Sequence, residues 1–488
     1  MSNLKIDRAT NYSAKHEAFS YQHEAFMAIR DKVYAAIFHE QGLGKTKIAI
    51  DLLLYWLEKR EIDTVLIVTK KTLVSNWCSE FDFHTNIKPK ILDNRHGNNF
   101  YVLNSPARVI ITNFETVSGE KERMKLFLRT RNVAIIIDES TKIKNPESRL
   151  TQDFFELSEL FKIRVVMTGT PIANRPYDIW AQIYFLDRGK SLGNDFSSFK
   201  RDYDLSNQLA TNKELQACFE THLSALFERI RDFTVRETKS SGIISLPEKI
   251  YHDVKIAFEM NQKMMYDQVR NEMILLIKRG DETILDESQD AIKRLLRLVQ
   301  ITSNPKLLDD SYVEVSAKEA LLDHVLKPIL DKGLKVIVWS IFTDNIDYYA
   351  RKYKSYHAVR ITGKMNVEDR QKSVQAFKEG DAQILFATPQ SAKEGLTLTV
   401  SNNAIFYDRG FNLDDYLQAQ DRIHRISQKN DCHIYNLMVE DSIDEWIDLL
   451  LKAKQRAAFL AQGDMSLSAY KENADYSFAE IVHKILNI

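Results

Sequence analysis

Three short segments of this chain carry the residue types that handle phosphate. Residues 39 to 46 read His-Glu-Gln-Gly-Leu-Gly-Lys-Thr. In such a loop the amides of Gly42, Leu43 and Gly44 can face phosphate oxygens, and a following helix adds its positive N-terminal end. Lys45 then reaches the β and γ phosphates, and Thr46 can hold Mg²⁺. A strict phosphate-binding loop has glycine where this one has His39, and by itself the segment also reads as a glycine turn before a helix. Downstream, Val133-Ala-Ile-Ile-Ile-Asp138-Glu139 is an apolar strand ending in two carboxylates. That arrangement sets a metal-binding Asp138 and a water-orienting Glu139 at the carboxyl edge of a sheet. Near the other end stands Gln420-Asp-Arg-Ile-His-Arg-Ile-Ser-Gln428. Arg422 and Arg425, three apart on an expected helix, lie near one face and have the chemistry of arginine fingers for a transferring phosphoryl group. The plain alternative for the pair is a solvated basic helix face, and His424 between them reads as structural. A site whose halves are this far apart in sequence can be assembled by one domain and disassembled by another.

The elements that would position these residues form an alternating pattern. Short β-branched runs at 64–69, 108–112, 133–138 and 164–168 are nearly all apolar, as strands covered on both faces should be. The rhythm returns at 335–340, 358–362, 383–388, 404–408 and 432–437. Strands alternating with amphipathic helices imply parallel sheets with right-handed crossovers. The expected fold class is therefore α/β, with two tandem parallel-sheet lobes, helical insertions between them and a C-terminal helical segment. The expected domains are an N-terminal nucleotide-binding lobe over 1–185, helical insertions and an interlobe connection over 186–311, a second lobe over 312–450, and a helical extension over 451–488. Residues 190–310 lose the strand rhythm, with Leu295, Leu296, Leu298 and Val299 marking one buried helix face, and Ser240-Ser241-Gly242 is the best internal loop signal.

Composition narrows the class. At 488 residues the chain is long enough for about two to four domains. Lys and Arg number 67 against 68 Asp and Glu, a net charge of −1, so any nucleic-acid contact must be made by a local groove and not by a global basic field. Three scattered cysteines, Cys78, Cys218 and Cys432, have neither disulfide nor zinc spacing and suit a reducing compartment. No apolar run approaches the roughly 18 residues of a membrane span, and the polar start lacks the core of a signal peptide. An intracellular protein is expected.

The order of segments resembles superfamily-two helicases, and within them the Swi/Snf family of DNA-dependent ATPases. The resemblance rests on Tyr21-Gln22, on 39–46, on 66–73 with Asn76-Trp77, on Thr112-Asn-Phe-Glu115, on Asp138-Glu-Ser-Thr-Lys-Ile-Lys-Asn145 and on 167–174 in the first half. It continues through 233–239 with Leu246-Pro247, then 336–340, 361–363, Glu394-Gly-Leu-Thr-Leu-Thr399 and 418–428. Lys144-Asn145 after the acidic pair, and Ser-Gln after His-Arg in the last motif, select this family over its relatives. The resemblance implies ATP with Mg²⁺ as cofactors, Gln22 against the adenine, and Gly395 with Arg422 and Arg425 in the nucleotide site. It assigns catalysis to Lys45, Glu139, Arg422 and Arg425, and the metal to Thr46 and Asp138. It implies backbone contacts to nucleic acid from Lys70, Thr112, Lys144, Asn145, Ser340, Thr388 and Thr399, groups that bind phosphates without base readout.

The chain departs from the family at His39-Glu40-Gln41, at Thr141, at Lys393-Glu394 and at Phe411-Asn412-Leu413, positions that bear on tuning and leave the phosphate chemistry complete. The function this implies is an ATP-hydrolysing motor that translocates on or remodels double-stranded DNA, acting as a monomer without a membrane. A strand-separating DNA or RNA helicase and a non-hydrolysing, nucleotide-dependent DNA-binding scaffold are the alternatives. Compactness suggests a bacterial or viral type, cytoplasmic in a prokaryotic or virus-infected cell.

Overall fold

A computed structural model describes residues 12–172, 174–205, 213–243, 246–278, 289–391 and 396–472. Their contacts divide the chain into two compact units. The first comprises residues 1–207, 217–244 and 458–467, and the second comprises 208–216, 245–457 and 468–488.

In the first unit seven strands form one wholly parallel sheet. They are β1 Tyr34–Ile37, β2 Thr64–Thr69, β3 Lys90–Ile91, β4 Val109–Asn113, β5 Val133–Asp138, β6 Ile163–Met167 and β7 Thr234–Val235, in the order β3-β4-β2-β5-β6-β1-β7. β2 and β5 are buried at every position, and apart from Thr64, Thr69 and Asp138 at strand ends they are wholly apolar. Their side chains pack with the amphipathic helix Lys45–Lys59, whose Ile48, Leu52, Leu53 and Trp56 are buried, and with Trp77 and Phe81 of the helix Val74–His84.

The second unit has six parallel strands: β8 Lys249–Ile256, β9 Val336–Trp339, β10 Val359–Ile361, β11 Ile384–Ala387, β12 Asn403–Phe406 and β13 Cys432–Val439. Their order is β10-β11-β9-β12-β13-β8. One face packs on the helix Ala317–Leu330, which Ser316 caps by accepting a hydrogen bond from the Glu319 amide. The start of that helix is also tied down by a buried ion pair, Lys318 Nζ to Asp444 Oδ1 at 2.8 Å. Asp444 further accepts from the Thr302 hydroxyl and the Val439 amide, so the buried charge is satisfied on several sides. Leu298 and Val299 are fully buried against Ile443, Ile447 and Leu450 and Leu295 packs on the same cluster, whereas Leu296, also expected on this face, is half-buried and outside it.

The two α/β sheets match the expected fold class, and all nine strands anticipated from apolar runs are present. Four others were missed. β1 is Tyr-Ala-Ala-Ile, too short and alanine-rich to register as β-branched. β3 and β7 are two residues each. β7 and β8 both lie within 190–310, where the sequence pattern predicts no strands, and correct that expectation. β8 is an edge strand with one face partly covered and the other exposed, so Lys-Ile-Tyr-His-Asp-Val-Lys-Ile alternates instead of running apolar.

Among the described residues no helix is long and apolar enough to cross a membrane.

Ile136 is fully buried at the centre of the first sheet, so Ile136→Ala should cost about 2–5 kcal/mol. Denaturant titration followed by tryptophan fluorescence should show the loss as a lower midpoint.

Candidate functional site: a phosphate loop and an acidic pair on one sheet edge

In a parallel sheet every strand delivers its C-terminal end to the same edge. β1 runs into the loop 38–44, and the helix Lys45–Lys59 starts immediately after it. Gly42 has φ +88 and Gly44 has φ +69, the left-handed region that side chains disfavour. At Gly44 a Cβ would also come within 2.2 Å of Gln22 Nε2. The loop is held from outside: Glu40 accepts at its carboxylate from the Lys239 amide at 2.7 Å, and the Phe38 carbonyl accepts from Arg236 at 2.8 Å. Lys45 Nζ donates to the carbonyls of His39 and Glu40 at 3.0 and 3.3 Å, so the ammonium lies over the mouth of its own loop.

Gln22 is buried, with its carbonyl oxygen accepting from the Phe19 amide at 3.0 Å and its NH2 donating to Leu43 O at 3.3 Å. The expected adenine-contacting residue is thereby fixed to the loop itself. His39, the departure at the loop's start, is buried. Burial first, and the Lys45 charge second, push its imidazole down to about 4, so it is a neutral wall of the loop at ordinary pH.

β5 brings Asp138 and Glu139 to the same edge. Asp138 is 9% exposed, and its Oδ2 accepts from Thr69 Oγ1 at 3.0 Å and Trp77 Nε1 at 2.9 Å. Burial, and then the neighbouring Glu139 charge, raise the Asp138 carboxyl to about 6. A carboxylate that is costly to ionise alone, beside a second carboxylate, is the donor set a divalent cation would relieve. Glu139 adopts φ +55, and its Oε1 accepts from Gln41 Nε2 at 3.3 Å, joining the acidic pair to the phosphate loop across 98 residues of sequence. Gly169, after β6, closes the group: a Cβ there would meet Gln41 Cγ at 2.6 Å and Lys45 Nζ at 3.3 Å. Thr69, Trp77 and Gln41 had no assigned role in the sequence. The one available signal was that Thr69 ends an apolar strand beside Lys70.

The candidates for nucleic acid divide by exposure. Asn145 is exposed, and Lys144 is half-buried with Nζ 2.7 Å from Asp178 Oδ2. Lys70 lies at the end of β2, its Nζ 3.9 Å from Glu139 Oε2. Thr399 shares a 2.9 Å hydrogen bond with Ser427. Thr112, by contrast, is fully buried in β4 with its hydroxyl donating to Leu92 O, and Ser340 is buried with its hydroxyl donating to Asp408 Oδ2 at 2.7 Å. Thr388 is 9% exposed and bonded to Ser391. The structure brings none of these last three side chains to an open surface. Gly395, with the Lys393-Glu394 departure, lies outside the described residues.

In the second unit the expectation for the arginine pair is corrected in one respect. The helix Leu413–Gln420 ends before Arg422, and the chain goes on in irregular turns, with Arg422 N on Ala419 O and Ile423 N on Gln420 O three residues back and His424 N on Gln420 O four back. The two arginines therefore do not share a helix face. Arg422 is 2% exposed, with Nε on Gln418 O at 3.1 Å and a terminal NH on Leu396 O at 3.3 Å. Arg425 donates to Asp421 O and to Thr397 Oγ1, and burial lowers its guanidinium pKa from the ordinary value. Gln428 clamps the turn, its NH2 directed at the carbonyls of Thr399, Ser401 and Ile423. His424 donates from Nε2 to Pro247 O at 2.8 Å, a structural contact as expected.

Residues 21–307 match the SNF2-related domain, and residues 317–427 match the helicase conserved C-terminal domain. The chain belongs to the SNF2-related family. It is 27% identical to nuclear protein STH1/NPS1 of Saccharomyces cerevisiae over 84% of this chain and 32% of that protein. A probable chromatin-remodeling complex ATPase chain of Oryza sativa is 29% identical over 83% and 37%, and an uncharacterized ATP-dependent helicase of Mycoplasma pneumoniae is 27% identical over 89% and 41%. The chain thus spans well under half the length of these relatives. A solved structure of the Sulfolobus solfataricus SWI2/SNF2 ATPase core in complex with dsDNA is similar at 23% identity and a TM-score of 0.44, covering 97% of this chain and 98% of that one.

The raised Asp138 pKa carries a sign. The native state holds this proton more tightly than the unfolded chain, so the penalty for ionising it is absent below the ordinary value of 3.8, grows toward pH 6, and is full above that. Asp138→Asn should therefore stabilise the ligand-free protein above pH 6 by up to roughly 3 kcal/mol, and the advantage should vanish near pH 4. Thermal melts of both proteins across that range check it.

Proposed function

We propose that this SNF2-related chain is a nucleic-acid-dependent ATPase, a motor that couples ATP hydrolysis to translocation on, or remodelling of, double-stranded DNA. One observation carries the reading: a glycine loop with Lys45 and a strand-end Asp138-Glu139 pair meet on one sheet edge, joined by the Gln41–Glu139 hydrogen bond. Hydrolysis of a phosphoanhydride needs a positioned water and charge stabilisation more than covalent chemistry. The loop amides from Gly42 to Gly44 bind the phosphates, and Lys45 exchanges its loop carbonyls for phosphate oxygens. Glu139 orients the attacking water. The water oxygen bonds to the γ phosphorus, the β–γ bridging P–O bond breaks with its electron pair leaving on ADP, and the water's proton passes by way of Glu139 to the released phosphate. Thr46 and Asp138 would hold Mg²⁺, which supplies charge neutralisation at the phosphates when bound. The family resemblance assigns the transition-state charge to Arg422 and Arg425, and an arginine finger is worth about 10³ to 10⁵ in rate.

Double-stranded DNA is favoured as partner on the family resemblance. The exposed Asn145 and the cations Lys70 and Lys144 are groups that contact a phosphate backbone without reading bases. The relatives whose names specify chromatin remodelling lend support to the same class of work.

Steady-state ATPase assays with no nucleic acid, duplex DNA, single-stranded DNA, branched DNA and RNA test this reading. Duplex DNA should raise the rate, and Lys45→Ala or Glu139→Gln should reduce it by at least about 10². Equal rates with and without nucleic acid would exclude a DNA motor. Strand displacement would favour a helicase, and ATP binding without turnover in every arm a scaffold.

A further inference from the structure

Consecutive residues at the ends of two neighbouring strands meet as pairs. β2 and β5 run side by side with Val68 opposite Ile137, so Thr69 and Lys70 follow on one strand as Asp138 and Glu139 follow on the other. Thr69 donates to Asp138, and Lys70 approaches Glu139. The two oxygens of Glu139 are treated differently. Oε1 accepts from Gln41, whereas Oε2 is buried, accepts no hydrogen bond, and has the Lys70 ammonium 3.9 Å away. Lys70 in turn retains 25% side-chain exposure, against 14% for Glu139, so the ammonium is the more exposed end of the ion pair and Oε2 the buried one.

We propose that Lys70 is a latch on the water-orienting carboxylate, released by a nucleic-acid phosphate. The inference rests on the hydrolytic reading above and specifies how that site is regulated. With Lys70 3.9 Å from Oε2, the oxygen that should receive a hydrogen bond from the attacking water faces an ammonium instead. A backbone phosphate is an anion of the same kind competing for the same ammonium. When Lys70 turns to it, Oε2 becomes available to water, while the Gln41 amide keeps Oε1 anchored to the phosphate loop. Gln41 is thus a positioning residue, and it stands at one of the chain's departures from the family pattern. Nucleic acid and catalysis are linked through one side chain, without a long-range path.

The test uses the full chain with Lys70→Met, which keeps the aliphatic stem and removes the charge, and Lys70→Arg, which keeps the charge. Lys70→Met should raise the nucleic-acid-free ATPase rate at least about fivefold, in kcat and not in KM for ATP, and shrink the stimulation by duplex DNA by a similar factor. Lys70→Arg should keep a low nucleic-acid-free rate. A Lys70→Met rate at or below wild type without nucleic acid would overturn the latch and leave Lys70 a groove contact only. Should that variant fail to fold, the wild type's own nucleic-acid-free rate should still rise with added salt, because salt screens the partly exposed pair, and a flat or falling response would overturn the proposal. A wild type that hydrolyses no ATP with any nucleic acid would instead refute the functional reading on which the latch rests.

Discussion

The first unit depends on how two adjacent carboxylates are held at the end of an apolar strand. Asp138 is all but buried, Glu139 follows it in a left-handed conformation, and neither is cheap to keep there. Each contact that offsets the cost comes from a different element. Thr69 comes from the end of β2, Trp77 from the helix Val74–His84, Gln41 from the phosphate loop and Lys70 from the turn after β2. The sheet order, with β2 beside β5 and β6 carrying Gly169 next to β1, is what makes those donors converge. Asp138, the carboxylate that is costly to ionise in the ligand-free fold, is the one proposed to meet a divalent cation.

The second unit solves a different electrostatic problem. The buried Arg422 and the half-buried Arg425 both donate to backbone carbonyls at the end of a helix, where partial negative charge suits a cation. The turn that carries them is irregular, and Gln428 supplies the hydrogen bonds that a continuing helix would have made internally. Its carbonyl oxygen also accepts from the amides of Lys429 and Asn430, so one side chain satisfies the backbone on both sides of the turn. Nearby, Asp408 gathers the hydroxyls of Ser303 and Ser340 and the amide of Ile341, which fixes the end of β9 to the end of β12. Ser340 is therefore better understood as a brace for that sheet edge than as a hydroxyl offered outward.

The local pattern of the chain determined a good deal. Strands covered on both faces have no use for polar residues, so 64–69, 133–138 and their counterparts in the second half could be found by inspection, and with them the α/β class. Gly42, Gly44, Lys45, Asp138 and Glu139 announce phosphate chemistry because few other tasks require positive-φ glycines before a helix and paired acids after a strand. Segment order was enough to find the family. Only the tertiary structure decided the rest, and the failures have a common cause. β8 was hidden because an edge strand has one open face and alternates. The arginine segment was taken for helix because a three-residue spacing does not say where the helix stops. Thr112 and Ser340 are polar in type but buried in place. Trp77 and Thr69 became partners of Asp138, and Lys70 and Gln41 neighbours of Glu139, through strand register and crossover, which bring together residues that no local window contains. Periodicity records how much of itself a segment buries; which side chain closes on a buried charge is set by what the sheet lays next to it.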